Sequence, residues 1–389
     1  MARIALPSLS HGPAEMAHSG IREISNEALR TPGAIRLDVG QPNFPTPQHI
    51  KDAGKKAIDD NMTFYTHTQG LLSLRERLTD KLARVNGIKT SPGQIASAAG
   101  GVGAIAAMLA AVVEPGDEVL FPDPGWPNYR MMVPWLGATA TFYPCRPEDG
   151  FQPDLDALES LITARTKVLV VNSPNNPTGA IYPAATITSM IEIAQRHNLW
   201  LLSDECYDQV VLDGSWTSPA SIAPEDPRIA TVFTFSKTYA MTGWRLGYLV
   251  GSAELIDTAT KVLESNSSCV STISQVAAEA ALTGPQDVVT EMVGAYRRRR
   301  DLVVDILKDA ELFIASPTGA FYIMADVAPR GLPAREFAFA LLRERGVSVA
   351  PGTAFGQVAA EAVRISLASS DEALREGVGR LAEFVHGST

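Results

Sequence analysis

KVLVVNSPNNPTG, residues 167–179, sets an unbroken apolar run against a loop of Asn, Pro and Gly. An apolar run without alternation suits a strand buried on both faces, and such strands belong to parallel sheets covered by helices on either side. The loop that follows is made of residues that turn the chain. The same grammar recurs along the chain from about 94 to 251. There "QIASAA", "DEVLFP", "ATATFYP", "LWLLSDE", "ATVFTFS" and "RLGYLVG" read as further strands. Between strands, "GVGAIAAMLAAVV", "WPNYRMMVPWL" and "AATITSMIEIAQRHN" read as helices. This alternation predicts an α/β fold with a mostly parallel sheet sandwiched by helices. In such sheets ligands gather beyond the carboxyl ends of the strands. The residues that follow each strand are therefore the candidates for chemistry.

Upstream, "LLSLRERLTDKLARVNG" puts Leu74, Leu78, Leu82 and Val85 on one helical stripe that ends at Asn86-Gly87, a C-cap signal. After about 285 the pattern changes to a long charged helix, a helix around "AREFAFALLRERG", short strands at "VSVAPG" and "AVRISLA", and a closing helix. The expected organisation is an N-terminal segment 1–48 that packs on a small domain, a large domain 49–284, and a smaller α+β domain 285–389. The run "YRRRRD", Tyr296 to Asp301, reads as a solvated helix face.

A chain of 389 residues exceeds one ordinary core, and 43 acidic against 33 basic residues argue against a polyanion-binding surface. No nucleic-acid partner is expected. Cys145, Cys206 and Cys269 are widely spaced and odd in number, which suggests a reducing compartment and no metal-ligand cluster. The first residues lack a secretory signal pattern, and "AIAAMLAAVV" is too short to span a membrane. A cytoplasmic location without membrane contact is the expectation.

Four segments carry the chemistry. "VVNSPNNPTG" holds Asn176, "LLSDECYDQV" holds Asp204 and Tyr207, and "TFSKTYAMTGWRLG" holds Thr234, Ser236, Lys237 and Arg245. "AAGGVGAIAAM" is a Gly-rich turn that opens a helix. In this order and spacing they resemble the class I/II aminotransferases, the pyridoxal-phosphate enzymes of fold type I. The resemblance runs from "RLDVGQPNFPTP" to "VRISLA", nearly the whole chain.

The resemblance implies pyridoxal 5'-phosphate as cofactor, held by Lys237 as a Schiff base. A lysine amine attacks only when neutral and aimed at one carbon, and it can then carry the proton between substrate and cofactor. Asp204 would keep the pyridine nitrogen protonated, so that the ring accepts electrons. Tyr207 and Asn176 match the residues that bond the phenolic oxygen, and Trp126 matches the aromatic that stacks on the ring. Gly101 and Val102 would give backbone amides to the phosphate, Thr234 and Ser236 hydroxyls, and Arg245 a fixed cation. Arg364 would grip the substrate α-carboxylate, near the backbone of Gly40. Tyr65 resembles the tyrosine that reaches the phosphate of a neighbouring subunit, which implies a homodimer with shared active sites.

The implied reaction moves an amino group between an L-amino acid and a 2-oxo acid. A lyase or cyclase on the same scaffold, a carbon–sulfur lyase or another β/γ-elimination enzyme, begins with the same proton loss and stays open at this point. A dinucleotide-binding domain is disfavoured, because no G-x-G-x-x-G follows the first strand with an acidic residue at the right distance. Residues 11–24 should line the side-chain pocket. The helix "AIAAMLAAVV" offers no cation to a second carboxylate, which leans toward a neutral or aromatic donor unless Arg22 or a residue of the partner subunit supplies the charge.

Overall fold

The structure, a computed structural model, describes residues 9–16 and 18–387. The start of the expected N-terminal segment, residues 1–8, lies outside the described residues, as does Ala17 of the expected pocket stretch. All seven expected strands form one sheet. They are β1 (Ile95–Ala98), β2 (Glu118–Asp123), β3 (Thr139–Pro144), β4 (Thr166–Asn172), β5 (Trp200–Asp204), β6 (Ile229–Thr234) and β7 (Gly247–Val250). Their order is β1-β7-β6-β5-β4-β2-β3. Only β7 runs against its neighbours, so the other six strands share one direction and their carboxyl ends one edge.

Alternation within β2 and β4 shows why both faces are apolar. Val119, Phe121, Val168 and Val170 pack beneath helix Gly100–Val112, while Leu120, Leu169 and Val171 pack beneath helix Ala184–Arg196. Each such side chain, fully buried, contributes roughly 1.5–3 kcal/mol. The edge strand β3 is covered less, and Tyr143 is its one buried residue.

A second sheet has the antiparallel order β9-β10-β8, from β8 (Tyr322–Asp326), β9 (Ala350–Pro351) and β10 (Ala362–Ser366). Helices Asp287–Asp309, Ala334–Arg345 and Asp371–His386 pack with it around Phe337, Leu341, Leu381 and Phe384. Helix Gly20–Arg30 joins the same cluster through Ile24 and Ala28. Among the described residues no helix is long and apolar enough to cross a membrane.

Two expectations need correction. Val85 is 36% exposed instead of buried with Leu74, Leu78 and Leu82. The helix ends in a wider π-turn over Leu82–Asn86, which rotates Val85 off the stripe and turns Asn86 inward, where its amide donates to Asp208 at 3.0 Å. "YRRRRD" is a solvated face only in part: Arg297, Arg298 and Asp301 are exposed, but Tyr296, Arg299 and Arg300 are buried. Arg299 donates to Asp371 at 2.9 Å and to Asn43 at 3.0 Å, and Arg300 donates to Asp301, Asp213 and the Pro317 carbonyl. Acceptors from several distant segments meet these guanidiniums inside, and no spacing rule could show that.

Glu205 points away from the neighbouring Asp204, as an extended chain requires. Its Oε1 accepts from Ser203 at 2.8 Å and Ser218 at 2.7 Å, and its Oε2 has no partner. Burial pushes the carboxyl up to about 8 from an ordinary 4.5. Between those values the unfolded chain has lost a proton that the folded chain keeps. Stability should therefore decline as pH rises from about 5 to 8 and level off beyond. Glu205→Gln should flatten this slope and gain on the order of 1–3 kcal/mol at pH 8. Urea midpoints at pH 5 and 8 test it; an unchanged slope in the variant would remove the assignment.

Candidate active site

The carboxyl ends of β1, β4, β5 and β6 face the second sheet across a cavity of about 750 Å³. Thr234 ends β6 and caps the one-turn helix Phe235–Thr238 by accepting from the Ser236 amide at 3.2 Å. That turn carries Lys237 over the cavity. Its Nζ donates to the Gly40 carbonyl at 2.6 Å and lies 5.8 Å from the ring centre of Tyr207. Gly40 permits this approach, because a methyl there would lie 2.9 Å from the Tyr322 hydroxyl. The Tyr322 and Tyr207 hydroxyls are 2.9 Å apart.

Asp204 closes β5, and the strand register sets it beside Asn172, whose amide donates to the Asp204 carbonyl at 3.1 Å. Its carboxylate is buried and has no Lys, Arg or His within ion-pair distance among the described residues. The Tyr129 phenol donates to Oδ2, and the Cys206 amide donates to Oδ1 at 3.2 Å. Burial raises this carboxyl from its ordinary value, against the pull of the Cys206 thiol, the Tyr129 phenol and the Lys237 charge. A buried carboxylate in this state is a receptor for a cationic N–H.

Arg364 presents the opposite case. It lies in β10 and is only 1% exposed. Nη1 donates to Asn176 at 3.0 Å and Nη2 to the Asp38 carbonyl at 2.7 Å, both neutral acceptors, while Nε has no partner. The rings of Tyr322 and Phe355 flank it at 4.2 and 4.9 Å. The Asp38 carboxylate is taken by Arg36, at 2.7 and 2.8 Å, and by Ser25. The guanidinium is therefore buried without an anion.

A cradle for a phosphate stands at the third corner. Gly100 and Gly101 open helix Gly100–Val112, whose first N–H groups have no intrahelical acceptor. Gly100 is left-handed at φ 77°, and a methyl on it would lie 2.5 Å from Arg245 Nη2. A methyl on Gly101 would lie 2.7 Å from the Cys206 sulfur, so this turn has room only for glycine. Arg245 is itself left-handed at φ 54° and is fixed by the carbonyls of Thr242 at 2.8 Å and Ala99 at 3.3 Å. The Thr234 and Ser236 hydroxyls, 2.9 Å apart, complete the wall.

A family model described as aminotransferase class I and II matches residues 32–381. The chain belongs to this family. It is 39% identical to the aspartate/prephenate aminotransferase of Thermus thermophilus, over 90% of this chain and 91% of that one. It is 37% identical to aromatic-amino-acid aminotransferase 2 of Thermococcus litoralis, over 93% and 94%. Among solved structures it is similar to the Thermus thermophilus aspartate aminotransferase with maleate, at TM-score 0.93 and 37% identity, covering 97% of this chain and all of that one. Relatives with these names favour amino-group transfer, and the lyase or cyclase reading is not favoured. The family uses pyridoxal phosphate, and the cradle, the buried Asp204 and the Lys237 amine fit that group.

In this aminotransferase Gly40, Gly101, Val102, Trp126, Asn176, Asp204, Tyr207, Thr234, Ser236, Lys237, Arg245 and Arg364 all line the one cavity. Tyr65 does not; it is 89% exposed, beside Phe64 at 78%. Of the expected pocket residues 11–24, Ser19, Ile21 and Arg22 line the cavity. Sequence reading missed Tyr129, Cys206, Asn172 and Tyr322. Tyr129 had a faint signal, three positions after Trp126 and so on the same side of the short helix Pro127–Met132, where the two rings meet edge to face at 5.5 Å. Tyr322 had none, since only the folded chain brings it to Tyr207.

Proposed function

We propose that this aminotransferase binds pyridoxal 5'-phosphate in the cavity through Lys237 and moves an amino group between an L-amino acid and a 2-oxo acid. One observation carries the reading. A buried carboxylate without a cation, Asp204, and a buried guanidinium without an anion, Arg364, border the same cavity with an amine near both. A pyridine nitrogen at one end and a substrate α-carboxylate at the other would satisfy the two together. When bound, pyridoxal phosphate supplies the electron sink for the pair left on the α-carbon.

The chain's own residues then divide the work. The Lys237 amine would take the proton from the substrate α-carbon and deliver it to the cofactor carbon on the far side of the shared nitrogen. Asp204 holds a proton at the pyridine nitrogen, while Tyr129 and the Cys206 amide keep its oxygens aimed. Tyr207 and Asn176 bond the phenolic oxygen, and burial keeps the Tyr207 phenol protonated. Trp126, which lines the same cavity, would supply an aromatic face to the ring. The amides of Gly101 and Val102, the hydroxyls of Thr234 and Ser236, and Arg245 hold the phosphate. Arg364 fixes the α-carboxylate with a planar fork near Gly40, which orients the bond to be broken.

Arg364→Lys keeps the charge and loses the fork, so the KM for amino acids should rise about 10- to 100-fold with cofactor affinity retained. Arg245→Ala should show the reverse, with cofactor lost on dialysis. Equal cofactor loss in both variants would refute this division of roles.

The reading includes a homodimer in the cytoplasm. Tyr65 is exposed, as are Ile58, Phe64 and Leu72 in the same stretch of chain, and its family counterpart serves a neighbouring subunit's phosphate. All three cysteines are free thiols, in keeping with a reducing compartment. Sedimentation that found a fully active monomer would exclude the shared site.

A further inference from the structure

We propose that Arg22 binds the side-chain carboxylate of the substrate, which makes acidic amino acids and their 2-oxo acids the preferred class; the inference rests on the transamination reading. Helix Gly20–Arg30 is held to the second sheet's core by Ile24 and Ala28, which are buried one turn apart. At 100° per residue, roughly, the opposite stripe is then Arg22, Asn26 and Leu29. Those three line the cavity.

The charges of the cavity leave Arg22 over. Five cations border it: Arg22, Arg36, Lys237, Arg245 and Arg364. Asp38 neutralises Arg36 in a bidentate pair. Arg245 faces the phosphate cradle, Lys237 the reacting carbon, and Arg364 the α-carboxylate. No Asp or Glu whose side chain is described lies within ion-pair distance of Arg22. The other wall offers a second carboxylate nothing, because Val102 and the rest of helix Gly100–Val112 carry no cation. Arg22 also sits in the first turn of its helix, where the backbone dipole favours an anion. Asn26, one turn on, adds a neutral amide to the same stripe. The mouth thus has the polarity of a carboxylate site, while Ile21, Leu29 and Trp126 leave room for an apolar side chain with no gain from Arg22.

The test uses the holoenzyme and its Arg22→Gln and Arg22→Lys variants. Single-turnover half-reactions with L-aspartate, L-glutamate, L-alanine and L-phenylalanine avoid an acidic 2-oxo acid as co-substrate. Binding of succinate and of butyrate, followed by calorimetry, needs no turnover. Arg22→Gln should lower kcat/KM for aspartate and glutamate about 10- to 100-fold, mainly through KM, and weaken succinate by a similar factor. Alanine, phenylalanine and butyrate should stay within about threefold, and Arg22→Lys should recover part of the loss. A uniform fall across all four amino acids, or acidic substrates and succinate left unchanged, overturns the assignment to Arg22. A wild-type holoenzyme that converts none of the four overturns the transamination reading itself.

Discussion

Lys237→Ala should lose turnover by about 10⁴-fold or more while the protein folds as before. The size follows from two losses at one atom. Lys237 is the one lysine lining the cavity among the described residues, so without it no side-chain amine there can form an imine with a cofactor aldehyde or take the α-proton. Among the other cavity residues burial holds the Cys206 thiol in its protonated form, and the remaining proton-transfer candidates are already committed. Tyr207 bonds Tyr322, the Asp38 carboxylate holds Arg36, and Asp204 sits beneath Tyr129. The fold should tolerate the change, because Lys237 is only partly buried and its single hydrogen bond is to the Gly40 carbonyl. Borohydride reduction of the wild type should leave the cofactor on the peptide that contains Lys237. Label on another lysine, or turnover in the variant within tenfold of wild type, would remove the central assignment.

The parts of this site that were legible in sequence share one physical cause. Asp204 and Thr234 end strands and Asn176 and Lys237 come just after them, and six strands pointing one way bring those ends to one edge. Local sequence and global fold then carry the same information. Arg364 was legible through its apolar neighbours, which demand that it be buried. What could not be read depends on meetings across the chain. Tyr322 reaches Tyr207 from 115 positions away, and Tyr129 reaches Asp204 from 75. Arg299 and Arg300 looked solvated because a run of like charges usually is, yet each finds its counter-charges on other segments. Val85 failed for a local reason, a π-turn that no propensity at Leu82–Asn86 announces.

Asp204→Asn should separate function from stability. The amide keeps the shape and can still accept from Tyr129 or the Cys206 amide, but it carries no charge to hold a proton on a pyridine nitrogen. The electron sink weakens, so kcat should fall about 10²- to 10³-fold and removal of the α-proton should become the slow step. A substrate α-deuterium isotope effect should grow accordingly. Without cofactor the sign reverses. Burial lifts this carboxyl because the ionised form has no cationic partner, so near neutral pH its charge costs the folded chain. The cofactor-free variant should therefore unfold at the same temperature as the cofactor-free wild type or a higher one. Tyr129→Phe is the control: it removes one donor and keeps the charge, so it should cost far less turnover than Asp204→Asn. A destabilised cofactor-free Asp204→Asn protein would mean that Asp204 holds the fold rather than the cofactor. Near-normal turnover with an unchanged isotope effect would mean that the ring nitrogen is protonated by another group.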